Sequence, residues 1–357
     1  MRISFKWTAI AVVAVIQSCA AQTYTECNPL EETCDPNDGL ATYRFSTNFT
    51  TGDSAFDGWT TTSGTVTSTD LGALFTINEQ GDAPTIETKF YIFFGYIEAR
   101  FRAASGTGIV STAILESDDL DEIDWEQVST FDNQIQTNYF GKGNTTSYDR
   151  AITVSVSSPE ETFHTYSISW TESATQWFVD GTLVRTLNYA DAVGGKNYPQ
   201  TPMRVRIGIW AGGDPSNSPG TIEWAGGETD YTQGPFSMYL ESVRIVNYNP
   251  AEEYTYTDRT GSYTSISASN ATSEDETEGE GQSSSIPVIP TTTRVAPSSS
   301  VTVSVTVTPS VCPTSSAVPT PSYTPVYGLG VSVRGSAAGM SSILGIVAIV
   351  IAGKVLF

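Results

Sequence analysis

Residues 117–128, SDDLDEIDWEQV, hold six carboxylates, and three of them, Glu122, Asp124 and Glu126, alternate with Ile123 and Trp125. A period of two is the period of a β-strand, whose successive side chains point to opposite faces of a sheet. Ile123, Trp125 and Val128 are therefore expected to face the core, and the three carboxylates a solvent-facing groove. Like charges side by side repel and raise one another's pKa, so folding alone gives little reason to build such a row.

The same alternation recurs outward from this point, in FGYIEARFRA, GIVSTAILES, NQIQTNYF, HTYSISWT, TQWFVDGTLVRTL, RVRIGIWAGG and SMYLESVRIV. These runs are rich in β-branched and aromatic residues and are separated by Gly, Asn, Asp and Ser turns. In FVDGTLV, Asp180-Gly181 is the turn of a hairpin. No stretch has convincing helical periodicity over three turns. An all-β sandwich of long, curved antiparallel sheets follows, with one face of each sheet core and the other open.

The flanks read differently. In residues 1–21, Arg2 and Lys6 precede an apolar run that ends in SCAAQ, the pattern of a secretory signal peptide. Its removal takes Cys19 and leaves Cys27, Cys34 and Cys312, of which Cys27 and Cys34 are expected to close a small disulfide loop. Residues 261–334 shift to Ser, Thr, Pro and Val, which suits an O-glycosylated stalk with too little apolar surface to fold. Residues 335–357 place small residues before an apolar tail, the layout of a glycolipid-anchor signal cut at Gly335 or Ser336. A C-terminal membrane helix is the alternative, although the apolar run is short for a span. Sequons at Asn48, Asn144 and Asn270 mark N-glycosylation sites of a secreted surface. What remains, residues 22–260, is enough for one large β domain.

The formal net charge of -22 excludes nucleic acid as a natural partner and suits a neutral polysaccharide. No phosphate loop, CxxC pair or zinc spacing appears, so no cofactor or metal is expected. The single histidine, His164, cannot complete a Ser-His-Asp triad or a multi-His metal site, and is read as a hydrogen-bonded strand residue. Trp125 and Trp177 are read as core.

At roughly 3.3 Å per residue, Glu122 and Glu126 lie about 13 Å apart along the backbone, and strand curvature with side-chain lean would bring their carboxyls to either side of one sugar linkage. Two carboxyls so placed can attack an anomeric carbon and protonate the leaving oxygen, with retention of configuration if they lie about 5–5.5 Å apart. Asp124 between them would help to hold the acid protonated. From the residues alone, a calcium site or a merely solvated acidic edge stands as an equal alternative.

DEIDWEQ resembles the glycoside hydrolase family 16 signature, E-x-D-x-E on one strand. QTNYFGKGNTTSYDR and FHTYSISWTESATQWFVDGTLVRTL resemble, more narrowly, the fungal Crh-type cell-wall transglycosylases, over about residues 43–248. The resemblance implies a concanavalin-like β-jelly roll, with Glu122 as nucleophile, Asp124 as helper and Glu126 as substrate-binding acid/base. It also implies Arg206, Trp210 and Thr221 as sugar contacts, with Gln136, Asn138 and Tyr139 as further candidates. The segment EQVSTFDN departs from the pattern in lacking a Gly-rich turn, and no Cys-rich chitin-binding module is present. The implied activity is cleavage of chitin with transfer to β-glucan, by a monomer at the cell surface, attached to the membrane through a glycolipid or to the wall. An endo-β-1,3(4)-glucanase is the nearest alternative, and an inactive carbohydrate-binding wall protein or adhesin the alternative of another class.

Overall fold

The computed structural model describes residues 25–270. The expected signal peptide, nearly all of the expected stalk, Cys312 and the expected anchor site at Gly335 or Ser336 lie outside the described residues. Among the described residues no helix is long and apolar enough to cross a membrane.

Two antiparallel sheets stack face to face, as the alternating runs require. One has seven strands in the order Ile152–Ser155, Gln134–Phe140, Glu122–Val128, Ile109–Ser117, Met203–Ala211, Thr85–Thr88 and Trp59–Ser63. The other has eight and is built around Gly95–Arg102, His164–Trp170, Ala174–Val179 and Phe236–Asn247. Ile123, Trp125, Ile135, Val205, Ile207 and Ile209 from the first sheet meet Ile97, Phe101, Tyr166, Ile168 and Ile245 from the second in one core. Large rings pack across it: Trp125 lies 5.4 Å from Tyr166 between centroids and donates its indole N–H to the Ser167 carbonyl at 3.4 Å, and Trp177 donates its indole N–H to the Asp124 carbonyl at 3.1 Å. Both tryptophans are core residues, as expected, and Trp177 anchors the carboxylate-bearing strand from beneath.

The hairpin forms at Asp180-Gly181, whose φ angles of 48° and 77° give the paired left-handed turn that suits strand twist. Only one α-helix, Pro219–Trp224, interrupts the β architecture of the described residues. The missing Gly-rich turn after the carboxylate strand is replaced by Asn133, which takes φ 60° where a short polar side chain tolerates the left-handed region.

Three readings of the sequence need correction. Val128 does not face the core: it shares parity with Glu122, Asp124 and Glu126, and the fully buried Gln127 takes the inward position. The folded body also runs past residue 260, because Ile266–Ser269 pairs with Glu253–Tyr256, which pairs in turn with Asn37–Asp38. A short Ser/Thr-rich strand is thus edge structure here rather than stalk. Finally, the carboxylate row is not solvated: Asp124 is fully buried, Glu122 is 8% exposed and Glu126 is half-buried.

Candidate active site

The row sits on the outer face of the seven-stranded sheet, and register decides what surrounds it. Opposite Glu122, Asp124 and Glu126 stand Glu116, Ile114 and Thr112 on one neighbouring strand, and Phe140, Asn138 and Gln136 on the other. One strand further, Arg206 lies opposite Ile114 and Gly208 opposite Thr112. Gly208, Thr112 and Thr85, all small and buried, form the sheet beside Glu126. A Cβ at position 208 would come within 2.6 Å of the Pro84 carbonyl oxygen, so the glycine is required there by close approach.

The three carboxyls differ in what supports their charge. Burial pushes Glu122 up to about 8, with the charges of Glu116 and Glu126 adding to the rise; a hydrogen bond with Asp124 and the Arg206 guanidinium act the other way. Asp124 is pushed well above the carboxylate range by burial and by Glu122, and neither of its oxygens finds a hydroxyl or amide partner of good geometry. Asp124 and Glu122 are hydrogen-bonded to each other, so the two carboxyls titrate as a pair. Glu126 is also pushed well up, by burial and then by the Asp124 charge, and no hydrogen bond or cation of the protein offsets the rise. At Glu122 a hydrogen bond and a guanidinium offset part of the rise, as the Arg185 guanidinium and the Asn138 backbone do at Asp124, whereas Glu126 has neither and has the surroundings of an acid.

Arg206 faces the groove but is committed to ion pairs with Glu87, at 3.1 Å, and with Glu116. Buried at 8% exposure, it holds these carboxylates in place at the edge of the groove. Tyr139 is corrected. It pairs with Ile123, lies in the core at 6% exposure and packs under Arg185, 5.4 Å from its centroid, because the period of two turns it away from Asn138. Asn138 does face Asp124, with its Oδ1 lacking a donor. Gln136 lies opposite Glu126 and accepts the Trp224 indole N–H at 3.1 Å. Thr221 sits on the short helix with its hydroxyl against Ser218 at 2.9 Å.

Trp210 lies half-buried on the groove face and stacks on Trp224 with centroids 5.9 Å apart and planes at 20°. Trp224 is the residue the sequence reading missed: it comes from the helix, outside any alternating run, and its only signal is an aromatic just before the glycine pair of EWAGG. On the far side of the row, Phe140 lies opposite Glu122 and meets Tyr148, a ring 74% exposed. Aromatic surfaces therefore flank the carboxylates on both sides, as sugar faces require. His164 lies on the other sheet, bonded to Asp180 at 2.7 Å and to the Ser157 carbonyl at 2.8 Å, away from the row.

Cys27 and Cys34 are joined in a disulfide, as expected. Asn48 and Asn270 are exposed, while the Asn144 amide nitrogen is engaged by Asn197 at 2.9 Å. Among the described residues no group of three or more His, Cys, Asp or Glu is arranged to hold a metal ion.

The glycosyl hydrolases family 16 model matches residues 53–226. Crh-like protein 1 of Aspergillus fumigatus is 65% identical over 263 residues, which cover 74% of this chain and 71% of that protein. Crh-like protein 5 of the same fungus is 59% identical, over 73% of this chain and 66% of that one. Crh-like protein 2 of Botryotinia fuckeliana is 56% identical, and the chain spans only 55% of its length. Among solved structures, a Crh5 transglycosylase in complex with NAG aligns with a TM-score of 0.67 at 59% identity, over 68% of this chain and 100% of that one.

Proposed function

We propose, since this chain belongs to the fungal Crh-type transglycosylases of glycosyl hydrolase family 16, that its cell-wall activity joins chitin to β-glucan by a retaining mechanism. The observation that carries the mechanism is the contrast within the row. The rise at Glu122 is offset by Asp124 and Arg206, whereas no hydrogen bond or cation of the protein offsets the rise at Glu126.

Glu126 gives its proton to the glycosidic oxygen as the Glu122 carboxylate attacks the anomeric carbon. The carbon–oxygen bond breaks, and a glycosyl ester forms on Glu122. Asp124 keeps its hydrogen bond to Glu122, steadying the carboxylate before attack and after release. In the second half, the Glu126 carboxylate takes the proton of an acceptor hydroxyl, whose oxygen attacks the same carbon and frees Glu122. Transfer rather than hydrolysis requires the acceptor to outcompete water. The Trp210–Trp224 stack and the Phe140–Tyr148 pair supply apolar platforms that would hold donor and acceptor sugars on the two sides of the ester.

The enzyme works outside the cell, at the membrane or wall, as a glycosylated monomer carried by its signal peptide and held by its glycolipid. The experiment incubates the full chain with chitin oligosaccharides as donor and a fluorescent glucan oligosaccharide as acceptor, alongside Glu122→Gln. A labelled hybrid product from the wild type, absent with the variant, is expected. Shortened β-glucan without hybrid product overturns the transfer reading in favour of a glucanase. Sugar binding with no product at all overturns the catalytic reading.

A further inference from the structure

The disulfide loop does more than close the N-terminus. Together with the Glu116 end of the groove floor it walls a cleft of about 430 Å³. The cleft starts at Glu116, which lies directly opposite Glu122 on the adjacent strand, so it continues the groove rather than standing apart from it. Six carboxylates line it against two guanidiniums, those of Arg204 and Arg206. Both guanidiniums are already engaged, Arg204 with Glu87 at 2.6 Å and Arg206 with Glu87 and Glu116. On the loop side, Glu26, Asp35 and Asp38 are exposed, and no lysine or arginine among the described residues pairs with them.

A second observation concerns Asn37, which lines the same cleft at 6% exposure. Its amide nitrogen donates to Asp118 at 2.6 Å, which fixes the side-chain orientation, and its Oδ1 is left without a donor. A buried acceptor with no partner, beside carboxylates that lack cations, calls for a ligand rich in N–H and O–H donors and positively charged. A neutral N-acetylated sugar supplies the hydroxyls but no charge. A 2-amino sugar supplies both, as an ammonium with three donors.

We infer that this cleft is a subsite for a cationic amino-sugar unit, so that the enzyme favours partly deacetylated chitin with a glucosamine residue seated against the disulfide loop. The inference rests on the reading of the groove as a chitin-binding site and specifies which form of the polymer it takes.

The test measures binding of a glucosamine trimer and of an N-acetylglucosamine trimer to the full chain, and to a Glu26→Gln/Asp35→Asn/Asp38→Asn variant. All three positions are exposed, so the variant is expected to fold. The wild type is expected to bind the glucosamine trimer more tightly at low salt. That advantage should fall about fivefold or more in the variant, and also in the wild type at high ionic strength, where exposed charges are screened. Equal binding of the two trimers, or an advantage that survives the three substitutions, overturns the inference. Transfer from a fully acetylated donor, assayed on the same preparations, separates the two readings. Transfer without an amine preference removes only the subsite, whereas an amine preference without transfer removes the proposed reaction and leaves the subsite standing.

Discussion

The six carboxylates of residues 117–128 divide into two groups of three that the fold treats in opposite ways. Asp118, Asp119 and Asp121, in the turn before the strand, each accept from at least two donors, although one Asp119 oxygen is left without one. Asp118 accepts from Asn37 and Tyr91, both at 2.6 Å. Asp121 accepts the backbone N–H groups of Lys142 at 2.9 Å and Gln200 at 2.8 Å, with the Lys142 ammonium at 3.4 Å. The Thr201 hydroxyl lies 2.6 Å from Asp119 and 2.9 Å from Asp121. The Ser117 hydroxyl donates to Asp119 as well, at 2.5 Å, while burial and then the Asp121 charge push Asp119 up to about 7. Glu122, Asp124 and Glu126, one residue further on, have almost none of this. The turn uses carboxylates to tie distant segments together, whereas the strand keeps its carboxylates buried and poorly satisfied, at a cost in stability. Residue type does not separate structural from chemical use; the supply of donors does.

That contrast can be broken most sharply at Glu122. Glu122→Gln should lower the transfer rate at least about a thousandfold, read by hybrid-product formation. The same change should raise Tm at pH 7 by a few degrees. The sign follows from the raised pKa: a carboxyl that titrates at about 8 when folded binds more protons folded than unfolded above about pH 4.5. Stability is therefore lost as pH rises through that window, and removing the group restores it. The gain in Tm should vanish near pH 4, and a Tm that falls at both pH values would mean that Glu122 is structural after all.

Glu126→Gln should lower the rate by about a hundredfold to a thousandfold and remove the alkaline limb of the pH profile. In the wild type that limb reports loss of the Glu126 proton as pH rises through its raised pKa. An unchanged alkaline limb in the variant would assign the acid elsewhere. Asp121→Ala should do the reverse of Glu122→Gln. It strands the donors of Lys142, Gln200 and Thr201 and should cost about 3 kcal/mol in denaturant unfolding, while the folded fraction keeps most of its turnover.

Trp224→Ala removes the ring stacked on Trp210 and the donor to Gln136, and should raise KM for the sugar substrates about fivefold with little change in kcat. The smallest effect is expected at His164. His164→Ala loses two hydrogen bonds on the other sheet, about 1 kcal/mol of stability, and leaves the pH profile of transfer where it was.

The sequence by itself determined everything that follows from a period of two. It assigned Glu122, Asp124 and Glu126 to one face and Ile123 and Trp125 to the other, put Arg206, Gly208 and Trp210 on one side of their strand, and set the turn at Asp180-Gly181. Tyr139 alternates with Asn138, so the same period already assigns it to the core, and the resemblance that offered it as a sugar contact yields to that. Alternation is local: it is fixed by backbone geometry within a few residues and needs no partner. Tertiary structure alone decided what each side chain meets. It placed Glu87 and Glu116 against Arg206, brought Trp224 over from a helix more than a dozen residues beyond Trp210, and buried a row that alternation could only call outward. Only the closure of strands distant in the chain sets the donors and the water around each carboxyl, and these decide which of them becomes an anion, an acid or a tie.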